Sequence, residues 1–170
     1  GAYEPIGTIT VGVGGLASVS FASIPQTYKH LQIRGLVKTN RNDYSDDCYI
    51  QINGDTSALY TYHDLVGYGS GTASYGEANG TTTYTFLTAG SYLSTNVFGV
   101  SILDILDYTN TNKFKTLRML GGTDSNGGGR VILSSSVYRS SSAMTSISFV
   151  PHSGTSFAEF SQFALYGIKG

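Results

Sequence analysis

The chain has no tryptophan, one cysteine, three prolines and only 12% charged residues among its 170. Each shortage excludes something. A single cysteine, Cys48, closes no internal disulfide, so any stable fold must rest on a packed core. Cys48 sits in the alternating run Cys48-Tyr49-Ile50-Gln51-Ile52 and reads as a buried small hydrophobe, not a reactive thiol. Glu and Lys are scarce, so helices lack their ordinary formers, and no heptad is sustained, which argues against a coiled-coil stalk. No apolar stretch approaches the ~20 residues of a membrane helix. The net charge of -1 gives neither a basic footprint for nucleic acid nor an acidic tail. Cations are scattered; the densest group, Lys113, Lys115 and Arg118, reads as a solvated face of a hairpin. The start, Gly1-Ala2-Tyr3-Glu4-Pro5, carries no basic-then-apolar pattern, so the expectation is a soluble protein made in a cytoplasm.

Catalytic patterns are missing as well. His30, His63 and His152 are far apart and share no metal-ligand spacing. Gly69-Ser70-Gly71 is not a nucleophile elbow, and Gly12-Val13-Gly14-Gly15 has no helix after it to make a phosphate cradle. Asp43, Asp46 and Asp47, with Asp55 beyond, could offer oxygens to Ca²⁺, but the EF-hand spacing is not met and a turn-forming cluster is the plainer reading. Asp104 and Asp107 stand at an odd offset, which on a strand sends them to opposite faces. The chain therefore reads as non-enzymatic, with no catalytic residue, no metal and no cofactor.

What is present is strand and turn material: 22 Gly, 13 Tyr and many Ser and Thr. Strands are expected at 6–13, 16–21, 30–39, 46–53, 81–87, 98–108, 114–120, 131–138, 144–150 and 158–168, with the first two as a hairpin about Gly14-Gly15. In the third, Leu31, Ile33, Gly35 and Val37 share one face. Leu36 spoils the polar alternate face, which suggests burial on both sides there. Asn53-Gly54 marks a tight turn. Residues 57–80 lack clean periodicity and read as a long loop with short edge strands. About ten strands in one domain over 1–170 fit an all-β, two-sheet antiparallel β-sandwich. The 57–80 stretch holds Tyr60, Tyr62, His63, Tyr68 and Tyr75, the candidate partner-contact residues. Tyr, Ser, Gly and Asn together suit a protein interface, stacking on sugars, or simply solvated turns.

Four segments carry a resemblance: Ser23-Ile24-Pro25-Gln26-Thr27-Tyr28-Lys29-His30-Leu31-Gln32-Ile33-Arg34-Gly35, Ile52-Asn53-Gly54-Asp55, Asp104-Ile105-Leu106-Asp107-Tyr108-Thr109-Asn110-Thr111-Asn112-Lys113, and Phe163-Ala164-Leu165-Tyr166-Gly167-Ile168-Lys169-Gly170. They resemble small structural proteins of tailed bacteriophages, especially marine and cyanobacterial ones. Residues 57–94 fall outside the likeness, and it transfers no binding residue. It implies a jelly-roll-like β-sandwich on the virion surface, assembled in the host cytoplasm. The expected role is a capsid decoration (cement) protein that stabilises the assembled shell. The alternative is a tail-fibre or receptor-binding head for host surface glycans. The expected partners are other virion proteins, the major capsid protein first, and further copies of the chain, a trimer favoured; nucleic acid and membrane insertion are not expected.

Overall fold

The computed structural model describes residues 2–170, Thr85 through its backbone alone. It contains twelve strands: β1 (Tyr3–Thr10), β2 (Val19–Phe21), β3 (His30–Val37), β4 (Ser45–Ile52), β5 (Tyr60–Tyr68), β6 (Gly71–Gly80), β7 (Thr83–Ala89), β8 (Gly99–Leu106), β9 (Lys115–Asp124), β10 (Gly129–Tyr138), β11 (Ile147–Pro151) and β12 (Gln162–Ile168). They form two antiparallel sheets, ordered β1-β12-β3-β8-β9-β10-β5-β6 and β2-β11-β4-β7. The expected all-β sandwich is what the chain adopts.

Strict alternation builds the core. Leu31, Ile33 and Val37 of β3, Leu103 and Ile105 of β8, and Leu117 and Met119 of β9 point inward and are buried. Cys48, Ile50 and Ile52 of β4 meet them from the smaller sheet, and Cys48 is the buried hydrophobe its sequence context suggests. Burial pushes its thiol well above the ordinary value. At the centre Phe163 lies 5.1 Å from both Phe149 and Phe157, and 5.7 Å from Phe86, ring centroid to ring centroid. Gly35 is required here: a Cβ on it would sit 2.5 Å from the Phe86 ring.

Four local expectations change. β1 pairs with β12 and β2 with β11, so the first two strands are not a hairpin with each other. The 57–80 stretch is not a loop but the paired strands β5 and β6, turning at Gly69. β6 is exposed along nearly its whole length, which erased the apolar period. Leu36 is not buried on a second side; it is 53% exposed on the outer face of the larger sheet. Lys115 is not solvated but fully buried. Its ammonium donates to the carbonyls of Asn110 (2.5 Å), Lys113 (3.0 Å) and Ser141 (3.3 Å), pinning the β8–β9 turn to the loop after β10.

Leu36 is one member of a set. Arg34, Ile102, Leu120, Leu133 and Leu65 are successive cross-strand partners, one per strand from β3 to β5. Val100 and Val131 both face Gly122 in the adjoining row. With Leu36 and Leu106, eight aliphatic side chains, each 39% to 58% exposed, share the outer face of the eight-stranded sheet.

Candidate functional site

Eight strands cannot be covered by four. β7 lies over β8, β9, β10 and β5, and it is the edge of the smaller sheet. The β5–β6 hairpin reaches beyond it. Along β5, Tyr60, Tyr62, Asp64, Val66 and Tyr68 alternate to the inner side, and Glu77 and Tyr75 of β6 pair with Tyr62 and Asp64. Inner positions that are core farther along the sheet here line a cleft of about 580 Å³. Its hairpin wall carries Tyr62, Asp64, Tyr68, Tyr75 and Glu77; across from it stand Arg41, Asp47, Tyr84, Arg130 and His152.

Aromatic contacts set the floor. Tyr84, Tyr49 and His152 are mutually 4.8 Å apart, and Tyr62 meets Tyr84 edge-on at 5.5 Å. At the rim the Tyr68 and Tyr75 hydroxyls are 3.3 Å apart, with the residues 41% and 50% exposed. That hydrogen bond, ahead of burial, raises the Tyr68 hydroxyl above its ordinary value. The Arg130 guanidinium lies 5.9 Å from the Tyr68 ring centroid and donates to Asp47 at 3.1 Å.

The carboxylates are the unusual part. Asp64 is only 8% exposed, and burial raises its carboxyl above the ordinary range. Burial raises Asp47 too, against the opposing pull of Arg130. One oxygen of each, Asp64 Oδ1 and Asp47 Oδ1, is buried with no hydrogen-bond partner, as is Arg130 Nε.

The five residues singled out from sequence are divided by the structure. Tyr62, Tyr68 and Tyr75 come together in the cleft. Tyr60 does not belong to a contact surface: it is 1% exposed, stacked on Tyr138 at 4.9 Å. Its hydroxyl accepts from the Ile52 amide (3.0 Å), donates to the Asp55 carbonyl (2.9 Å), and is pushed up to about 12 by burial. His63 falls on the opposite face, over its cross-strand partner Gly76, where a Cβ would lie 2.8 Å from the imidazole. Sequence reading missed Asp64, Glu77 and Arg130. The alternation of Tyr60, Tyr62, Asp64, Val66 and Tyr68 was present and would have placed Asp64 beside the tyrosines.

The acidic run does not act as one cluster. Asp46 is buried and accepts from Thr39 Oγ1 (3.0 Å) and the Ser153 (3.1 Å) and Gly154 (2.9 Å) amides. Asp43 pairs with Arg41 (2.9 Å), Asp47 turns to Arg130, and Asp55 accepts from Tyr138 (2.6 Å). Among the described residues no three His, Cys, Asp or Glu side chains are grouped to hold a metal. Asp104 and Asp107 diverge, to Arg118 (2.9 Å) and Lys113 (2.7 Å).

No family model matches the chain, and no curated protein matches it.

Proposed function

We propose that the chain is a non-enzymatic structural protein of a bacteriophage particle, a decoration protein that self-associates through the outer face of its larger sheet. The self-association is carried by the row of exposed aliphatic side chains centred on Ile102, Leu120, Leu133 and Leu65, and the particle role rests on the four segments that resemble structural proteins of tailed bacteriophages. Eight half-exposed aliphatics present roughly 700 Å² of apolar surface, more than a monomer's ordinary patch and near the ~800 Å² each partner of a standard interface buries. The occupant we assign is a second copy. The face carries both signs of charge, with Arg118 already bridged to Asp104 and Arg34 stacked between Tyr3 (5.0 Å) and Tyr166 (4.7 Å). Nothing there repels its own image. A face that meets its own image closes as a two-fold dimer, so this interface favours a dimer over the trimer expected from the resemblance.

The order of strands supports a jelly-roll winding. The chain passes from β2 to β3 to β4, then to β5 and β6, back to β7, and through β8–β10 to β11, changing sheet each time. Two interlocked Greek keys give that alternation, with the β8–β10 meander standing where a jelly roll has one strand.

Sedimentation at micromolar concentration tests the assembly. The wild type is expected as an oligomer, and Leu120→Glu with Leu133→Glu as a folded monomer. A monomeric wild type, or a double variant that still assembles, defeats the interface. Quantitative mass spectrometry of purified particles tests the role: copies comparable to the major shell protein fit decoration, and a small fraction of that defeats it.

A further inference from the structure

We propose that the cleft between the β5–β6 hairpin and the smaller sheet binds neutral sugar residues of a glycan. The inference does not rest on the assembly reading above, and the two fail separately.

Three features of the cleft converge. Its volume, about 580 Å³, is that of a small-ligand site and admits one or two sugar rings. Its rim offers two exposed tyrosines, Tyr68 and Tyr75, whose rings present flat apolar faces to the C–H face of a pyranose. Its walls bury polar atoms without partners, the Asp64 Oδ1 and Asp47 Oδ1 acceptors and the Arg130 Nε donor, with the Ser134 hydroxyl unpaired across the strand from Asp64. Leaving such atoms unpaired costs stability, and a fold retains that cost where a ligand supplies the missing partners. The partner they need both donates and accepts, as a sugar hydroxyl does.

Charge selects within that class. Asp47, Asp64 and Glu77 face two guanidiniums, and each is engaged: Arg130 by Asp47 (3.1 Å) and Arg41 by Asp43 (2.9 Å). An acidic sugar entering here would set its carboxylate against three others. Neutral hexoses and N-acetylhexosamines meet no such repulsion.

The probes are D-glucose, D-galactose, D-mannose, N-acetyl-D-glucosamine and D-glucuronate, titrated separately into the full chain. Because the chain lacks tryptophan, its emission comes from tyrosine, and a saturating change in it reports binding. Amide shifts in 60–80 locate the site. We expect at least one neutral sugar to saturate with a millimolar Kd and to shift β5 and β6 amides, with glucuronate at least tenfold weaker. Tyr75→Ala and Asp64→Ala are each expected to weaken that sugar at least tenfold. Tyr75 is half-exposed on an edge strand, so its variant keeps the fold and decides the matter if Asp64→Ala does not fold. The proposal is overturned if no neutral sugar saturates by about 100 mM. It is overturned equally if glucuronate binds as well, or if Tyr75→Ala binds unchanged.

Discussion

The middle of the eight-stranded sheet and its β5–β6 margin obey the same backbone rule with opposite results. In β3, β8 and β9 the inward set is mainly apolar, with Ser101, Lys115 and Thr123 buried among it, and the smaller sheet covers it. In β5 the inward Tyr60 and Val66 are still covered, but Tyr62, Asp64 and Tyr68, with Tyr75 and Glu77 of β6, line the cleft where the smaller sheet ends. The difference arises from width: four strands cannot roof eight. Where the roof ends, apolar side chains would face water, and the sequence changes to tyrosines and carboxylates. Coverage by a partner layer, not strand pattern alone, decides what a strand face does.

Breaking the middle should have the largest effect. Phe163 is fully buried against Phe86, Phe149 and Phe157. Phe163→Ala should cost about 3–5 kcal/mol in urea unfolding, because the rings around the void cannot close it. A cost below about 1 kcal/mol would mean that the sandwich centre is loosely packed.

The next effect separates two tyrosines two residues apart. Tyr60→Phe removes the acceptor of the buried Ile52 amide and the donor to the Asp55 carbonyl. It should cost about 1–3 kcal/mol. Tyr62→Phe should cost under about 0.5 kcal/mol, as Tyr62 sits past the covered edge. Equal costs would erase the boundary drawn between core and cleft along β5.

That boundary also marks what the sequence made legible. β3 was readable because one face is roofed and the apolar period of Leu31, Ile33 and Val37 survives, and β8 because it is the most apolar segment of the chain. The turn at Asn53-Gly54 was readable because both residues adopt positive φ, 55° and 65°, which Asn and Gly favour. β6 was not, since exposure on both faces leaves no period to detect. The partner of β1 was not, since pairing with β12 links opposite ends of the chain. Leu36 was visible as an anomaly, but its meaning depends on the exposed row across four neighbouring strands. Three of the five proposed contact residues reach the cleft, because composition located the hairpin while alternation, not applied to it, would have sorted its faces.

The smallest effect is a difference in sign between two aspartates, one at the covered end and one in the cleft. Burial holds the Asp64 carboxyl above its ordinary value. A native carboxyl that keeps its proton more tightly than the unfolded chain stabilises the fold at pH below about 4, and that stabilisation is lost as pH rises through the raised value. Asp64→Asn should therefore be more stable than wild type at pH 7, with the gap closing toward pH 3. Asp55 runs the other way: hydrogen bonds from Tyr138 and Ser57 hold its carboxyl below the ordinary value. Its stabilisation is present above pH of about 4 and lost as acid titrates it. Asp55→Asn should be the less stable protein at pH 7, and again the gap should close in acid. Thermal melts from pH 3 to pH 7 read both. A destabilised Asp64→Asn at neutral pH would mean that the cleft carboxylate already has its partners within the protein, and the contrast between roofed and unroofed strand would lose its electrostatic half. A stabilised one would show the fold keeping an unfavourable charge at a surface it leaves open, which is the mark of a site retained for binding.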